Sequence, residues 1–182
     1  GSETGIRVVV TGTGVASSLG REVETFWNNV IAGQCGIDRV TSFDISEFAC
    51  QIAAEVKDFD PTPAFPNAKE VRRADRFTQL GIYAGWKSLE DSGMNLVELD
   101  RDQIGSFIGS GIGGISTLSQ HHEILIERGP KRVSPFLIPM MLGDMASAQV
   151  SMVTGSMGAN YCLVSSCSSG ADALGQAWAM IR

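Results

Sequence analysis

A cysteine stands in a collar of small residues, Ser165-Ser166-Cys167-Ser168-Ser169-Gly170, behind the apolar run from Tyr161 to Val164 and ahead of a long apolar helical pattern from Ala171. Strand, tight turn, thiol and helix in that order set the sulfur at the positive end of a helix dipole, where the thiolate is favoured. The flanking serines and Gly170 let backbone N–H groups crowd around the sulfur and around an oxyanion beside it. This is the chemistry of a nucleophile. A small core cysteine packed ahead of a helix is the competing reading, and the small residues on both sides of Cys167 weigh against it.

A nucleophilic thiol needs proton management, usually from a histidine, and the chain has only His121 and His122. Adjacent helical residues point ~100° apart, so the two cannot act on one substrate atom. His122 shares a stripe with Ile115, Leu118 and Leu125 and is expected to be packed or interfacial; His121 is expected to face solvent. Two glycine loops invite a dinucleotide reading. In the first, Gly12-Thr13-Gly14, Ser17 stands where the third glycine belongs. The second, Gly109-Ser110-Gly111-Ile112-Gly113-Gly114, has the spacing, but the region about 20 residues on holds Lys131, Arg132 and Ser134 instead of an acidic residue. We therefore reject a dinucleotide site.

Composition narrows the class. The 182 residues suit one domain with a real core, and the net charge of −6 argues against general nucleic-acid binding. The uncharged stretch between Asp144 and Asp172 is interrupted by Ser, Gly, Gln, Asn and Thr, which excludes a membrane span there. Residues before Ile6 are polar and carry no signal-peptide pattern, and Gly1-Ser2 read as a cloning scar. Cys35, Cys50, Cys162 and Cys167 show no CxxC pairing and no His at zinc-ligand spacing, so neither a metal site nor a disulfide scaffold is expected. Free thiols in a reducing cytoplasm are. Lys69, Arg72 and Arg73 form one basic cluster and Lys131-Arg132 another. Such clusters are either plain solvated faces or, in an otherwise acidic protein, local positive potential that steers an acidic partner.

The elements that must position these groups alternate. Ile6 to Val10 reads as a buried parallel-type strand, and Val23, Phe26, Trp27, Val30 and Ile31 recur at helical spacing before Gly33. Asp38 to Ala68 reads as loop with one short strand near Ile52 to Val56. A helix is predicted from Arg76, N-capped by Asp75, to Ser92; a strand over Ile104 to Ile108; and a helix from Ile115 to Arg128, stopped by Gly129-Pro130. A further helix is predicted over Leu142 to Val153, then the strand into Cys167 and a helix apolar nearly all round, which must be buried. Strands alternating with helices argue for an α/β fold with a mostly parallel sheet and helices on both faces.

The segment around Cys167 resembles the active-site elbow of the β-ketoacyl-ACP synthases, the condensing enzymes of the thiolase superfamily. The resemblance runs in order through Arg7 to Gly14, Ala32 to Ile37, Asp91-Ser92-Gly93, Gly109 to Gly114 and Ser134-Pro135-Phe136, and is strongest toward the elongating synthases of type II fatty-acid synthesis. Where the family usually has Thr-Ala before the cysteine, this chain has Ser165-Ser166, which adds a hydroxyl beside the sulfur. The resemblance implies a thiolase-like fold with residues 3–182 as its N-terminal half. It implies Cys167 as the acyl acceptor, Ile112 at the floor of the acyl pocket, and Lys69, Arg72, Arg73, Lys131 and Arg132 as the landing site of an acyl carrier protein. It further implies a homodimer joined through the strand before Cys167, no bound cofactor, and a phosphopantetheine that arrives on the carrier protein. The family's catalytic histidines, a nearby lysine and a second oxyanion donor fall beyond Arg182, so the chain alone is expected to be inactive.

Two functions follow. One is decarboxylative condensation of an acyl thioester with malonyl-ACP in a longer parent, in fatty-acid elongation or in a polyketide-type ketosynthase. The other is a non-catalytic, ketosynthase-like interaction module. The retained Cys167 favours the enzyme; the absent histidines favour inactivity of this polypeptide.

Overall fold

A computed structural model describes residues 5–182; Gly1 and Ser2 lie outside the described residues. In chain order the elements are α1 (Val23–Ile31), β1 (Asp38–Arg39), β2 (Ile52–Ala53), α2 (Ala68–Val71), α3 (Arg76–Ser92), β3 (Ser106–Gly109), α4 (Ile115–Arg128), α5 (Leu137–Met141), α6 (Met145–Thr154), β4 (Asn160–Leu163) and α7 (Ser169–Ile181). They fall into two units: residues 5–10, Pro61–Ile82 and Met94–Arg182 in one, and Thr11–Asp60 with Tyr83–Gly93 in the other.

The unit that carries the cysteine is built on β3 and β4. They run parallel in a register that sets Ser106 against Asn160 and Gly109 against Leu163. Parallel neighbours need a crossover, here α4, α5 and α6. Both α6 and α7 pack on the strand pair. Ile82 and Ala146 are fully buried in this core, and Gly81 of α3 lies where a Cβ would just touch Ala146 and Ile108. The entries of α3 and α4 share one carboxylate. Asp75 Oδ1 accepts the Phe77 N–H at 3.2 Å, while Oδ2 accepts the N–H of Thr117 at 3.0 Å and its hydroxyl at 2.5 Å. The expected N-cap of α3 is therefore also the N-terminal partner of α4, and its charge meets the positive ends of both helices.

In the second unit α1 ends as its sequence demands. Gly33 sits at φ +68°, the Gly33 N–H reaches Val30 O and the Gln34 N–H reaches Asn29 O, a double closure that favours glycine at that position. β1 and β2 pair antiparallel, and the Glu55 carboxylate just after them is held down at about 2, first by the Ser42 side chain and then by the N–H of Thr41, with the Thr41 hydroxyl and the Ser42 N–H adding to it. The first glycine loop also acquires a physical purpose. A Cβ on Gly12 would lie 2.2 Å from Ser88 O, and one on Gly14 2.1 Å from Ala84 O. These glycines let the chain lie against the late turns of α3, and the Thr13 N–H and hydroxyl bond to Asp91 there.

Four local expectations need correction. The run Ile6 to Val10 joins no ladder among the described residues and Val10 is 73% exposed; β-branched residues set a preference for extended backbone, but pairing belongs to the tertiary neighbours. The predicted helix over Leu142 to Val153 begins at Met145, because Leu137–Met141 closes its own helix and Leu142 turns extended at ψ 135°. The loop expected up to Ala68 is followed at once by the four-residue α2, for which the sequence pattern predicts no helix; its start is capped by Asn67, whose side chain accepts the N–H groups of Lys69 and Glu70. Finally, α7 buries Ser169 and Ala173, but Leu174 is 67% exposed, with Trp178 and Ile181 also open, so only its strand-facing side is covered by the described residues.

Candidate active site

Because β3 and β4 are parallel, the loops at their carboxyl ends leave the sheet on the same side. This is where open α/β sheets gather their ligands. The loop after β3 is the glycine segment 109–114, and the loop after β4 carries Cys167. The ladder extends one step past the strands, with the Ser110 N–H donating to Leu163 O at 3.1 Å. A Cβ on Gly109 would lie 2.2 Å from both C and O of Ser169 and 2.5 Å from the Gly170 N. The absence of a side chain at 109 is what lets α7 start directly against β3. Gly111 passes over Ser166 at ordinary van der Waals distance. The other face of the same loop rests on the end of α5: the Gly114 N–H bonds to Met141 O at 2.9 Å, and a Cβ on Gly114 would meet Met140 O at 2.3 Å.

Cys167 sits in a single 3-10 turn, Ser166–Ser168, that runs straight into α7. Its side chain is exposed. Ser166 just before it adopts φ +54°, a left-handed conformation that costs a non-glycine residue about 1–2 kcal/mol. Serine hydroxyls tie the turn together. Ser169 Oγ accepts the Ser165 N–H at 2.9 Å and donates to Ser166 O at 2.7 Å. Ser168 Oγ donates to Ser165 O at 2.7 Å, and Ser165 Oγ donates to the carboxylate of Asp172. The sequence pattern marks these serines as small residues that add a hydroxyl beside the sulfur, but it predicts no hydrogen-bonded clasp among them. The signal available was their spacing: a serine two residues after the cysteine falls at the first position of the helix and can reach back to the turn.

Exposure does not single out Cys167, since Cys35 and Cys50 are exposed as well. What distinguishes it is the helix start beneath it; the Cys35 and Cys50 thiols instead face the Ile37 and Ile52 carbonyls. Cys162 on β4 is half-buried, and burial first, then Asp144, pushes its thiol up.

Ile112 is 74% exposed at the crest of the glycine loop, one residue beyond the Gly111–Ser166 contact. The structure thus brings its loop and the cysteine turn together. The basic clusters lie elsewhere in the unit. Lys131 and Arg132 follow the far end of α4, a helix of 14 residues and so about 20 Å long. Lys69 and Arg72 are exposed on and after α2, while Arg73 bonds to Glu70 at 3.3 Å and stacks 4.2 Å over Phe136. That stack ties the segment of one cluster to the chain just after the other. Of the two histidines, His121 is the half-buried one, its Nδ1 at 2.9 Å from Thr117 O, and His122 is exposed, the reverse of the simple stripe argument. Among the described residues no three His, Cys, Asp or Glu side chains gather as metal ligands, and no helix is long and apolar enough to cross a membrane.

Residues 6–182 match the family model described as beta-ketoacyl synthase, N-terminal domain. The chain belongs to the beta-ketoacyl synthase family. It is 40% identical over 176 residues to the 3-oxoacyl-[acyl-carrier-protein] synthase 2 of Synechocystis, covering 97% of this chain and 42% of that protein. The fold is similar to that of a beta-ketoacyl synthase from Burkholderia phymatum, with a TM-score of 0.81, 25% identity, and 96% of this chain and 43% of that one covered. It is also similar to a type II polyketide ketosynthase solved in complex with its acyl-carrier protein and bound to a hexaketide, with a TM-score of 0.79, 23% identity, and coverage of 95% and 46%. The chain thus spans under half the length of the relatives it matches, and its fold is the thiolase-like α/β arrangement that the family resemblance implied.

Proposed function

We propose that this chain supplies the acyl-accepting half of a β-ketoacyl-ACP synthase, with Cys167 as the nucleophile. The observation that carries this reading is the exposed Cys167 at the start of α7, on the carboxyl-end side of a parallel strand pair and beneath a glycine loop. The Cys167 thiolate attacks the carbonyl carbon of an acyl thioester, the helix N-terminus and nearby N–H groups hold the oxyanion, and the acyl group passes to sulfur as the donor thiol leaves. Ile112 lines the space that receives the acyl chain.

The donor is an acyl carrier protein. Supporting this are the exposed cations Lys69, Arg72, Lys131 and Arg132, together with Arg73, on a chain of net charge −6, and the carrier-protein complex of a ketosynthase of the same fold. The length of α4 separates Lys131 from the glycine loop, so the carrier's acyl group must travel on a long flexible arm. Phosphopantetheine is such an arm, and the chain needs no resident cofactor. Malonyl carrier protein then loses CO2, and the resulting carbanion attacks the acyl-sulfur carbonyl and expels the Cys167 thiolate, steps whose histidines lie, on this reading, outside these 182 residues. The exposed Asn160 and Tyr161 on β4 are the edge through which two copies pair. Service in fatty-acid elongation is favoured by the 40% identity to the synthase 2 relative.

The test is direct. Full-length parent, incubated with an acyl carrier protein bearing a short acyl chain, should carry that acyl group on the peptide containing Cys167, and Cys167→Ala should carry none. An adduct on another cysteine, or condensing activity in Cys167→Ala, would overturn the assignment.

A further inference from the structure

The turn that carries Cys167 is held in a conformation its own residue types do not favour. Ser166 lies at φ +54° although it is no glycine, and the residues around it offer one clasp that closes on both of its sides. The hydroxyl of Ser169 accepts the N–H of Ser165 and donates to the carbonyl of Ser166, at 2.9 and 2.7 Å, so a single oxygen brackets the left-handed residue. That hydroxyl belongs to a side chain only 3% exposed, at the first residue of α7, and the residue's backbone is fixed from behind by Gly109 of β3. The anchor is therefore rigid, and the turn is the part that adapts.

We propose that Ser169 is a positioning residue: its buried hydroxyl clasps Ser166 in the left-handed conformation and thereby keeps the Cys167 thiol at the N-terminal end of α7. Ser169 acts through Ser166 and touches no reacting atom. Without the clasp Ser166 relaxes toward the right-handed or extended region, the turn opens, and the sulfur leaves the positive end of the helix. A glycine at 166 holds the left-handed conformation without strain and makes the clasp dispensable. The inference deepens the reading of Cys167 as acyl acceptor and rests on it for its meaning, but its test does not use acyl transfer.

The full-length parent and its Ser169→Ala, Ser166→Gly and doubly substituted variants would be alkylated with iodoacetamide, and second-order rates at Cys167 and Cys162 followed peptide by peptide. Ser169→Ala should slow Cys167 about tenfold, equivalent to about 1.4 kcal/mol, and leave Cys162 unchanged; Ser166→Gly in the same chain should restore most of the rate. An unchanged or faster Cys167 in Ser169→Ala overturns the proposal, as does a parallel change at Cys162, which marks general loosening. Failure of Ser166→Gly to rescue also overturns it. Should Ser169→Ala not fold, the double variant must, and its failure counts against the clasp. Should the clasp effect be present while the parent shows no acyl adduct on Cys167, the proposed function falls and the positioning role stands.

Discussion

Replacing Gly109 by alanine should do damage out of proportion to one methyl group. The new Cβ would stand 2.2 Å from the C and O of Ser169 and 2.5 Å from the Gly170 N, well over 1 Å inside ordinary contact, and the obstructing atoms are backbone. No rotamer change relieves such an overlap, so α7 must back away from β3. Overpacking of this kind costs about 1–3 kcal/mol, and with rigid backbone on both sides we expect about 3 kcal/mol. For a chain of this length that is a fall in Tm of about 6–12 °C. The functional loss should be larger, because the part displaced is the start of the cysteine helix, and a misplacement of ~1 Å at a reacting group costs about a hundredfold. Gly111→Ala is the control: its Cβ would meet only Ser166, at 3.8 Å, and it should leave both stability and reactivity near wild type. Thermal melts and the iodoacetamide rate at Cys167 read the two effects. A Gly109→Ala protein as stable and as reactive as wild type would refute the claim that β3 sets the position of the nucleophile.

Asp75→Asn keeps the volume of the shared cap but loses charge-assisted bonds to Thr117, and should lower unfolding free energy by about 2–4 kcal/mol in a denaturant titration; Asp75→Glu should not rescue it. Glu55 has a folded pKa depressed from 4.5 to about 2, so the stability it lends is present above about pH 4.5 and is lost as pH falls toward 2. Stability curves of wild type and Glu55→Gln should therefore converge across that window, and curves that stay parallel would deny the Thr41–Ser42 clamp its role. In alkylation time courses Cys167 should react first and Cys162 last, with exposed Cys35 and Cys50 between; equal rates at the three exposed thiols would remove the case for activation by α7. Charge reversal at Arg72 and Lys131 in the parent should raise KM for carrier protein about three- to tenfold at low salt, leaving small thioesters untouched; equal losses on both substrates would make the clusters structural.

Local chemistry was legible from the amino acids alone wherever a signal sits within a few residues. The limits of α4 follow from its periodicity and from Gly129-Pro130, the end of α1 from Gly33, the start of α3 from Asp75, and the strand–turn–helix around Cys167 from an apolar run meeting a collar of small residues. The same order of motifs carried the family resemblance that the comparisons bear out. What sequence did not yield depends on partners distant in the chain. Only the fold puts Gly109 behind Ser169, gives Asp75 a second helix to cap across 42 positions, turns Gly12 and Gly14 into contact points for α3, and half-buries His121 in place of His122. Ile6 to Val10 shows the limit from the other side: its residues favour an extended backbone, yet no described strand pairs with it. Propensity and capping act over one turn of chain and can be read there, whereas a ladder, a close backbone approach or a shared carboxylate exists only once two remote segments have met.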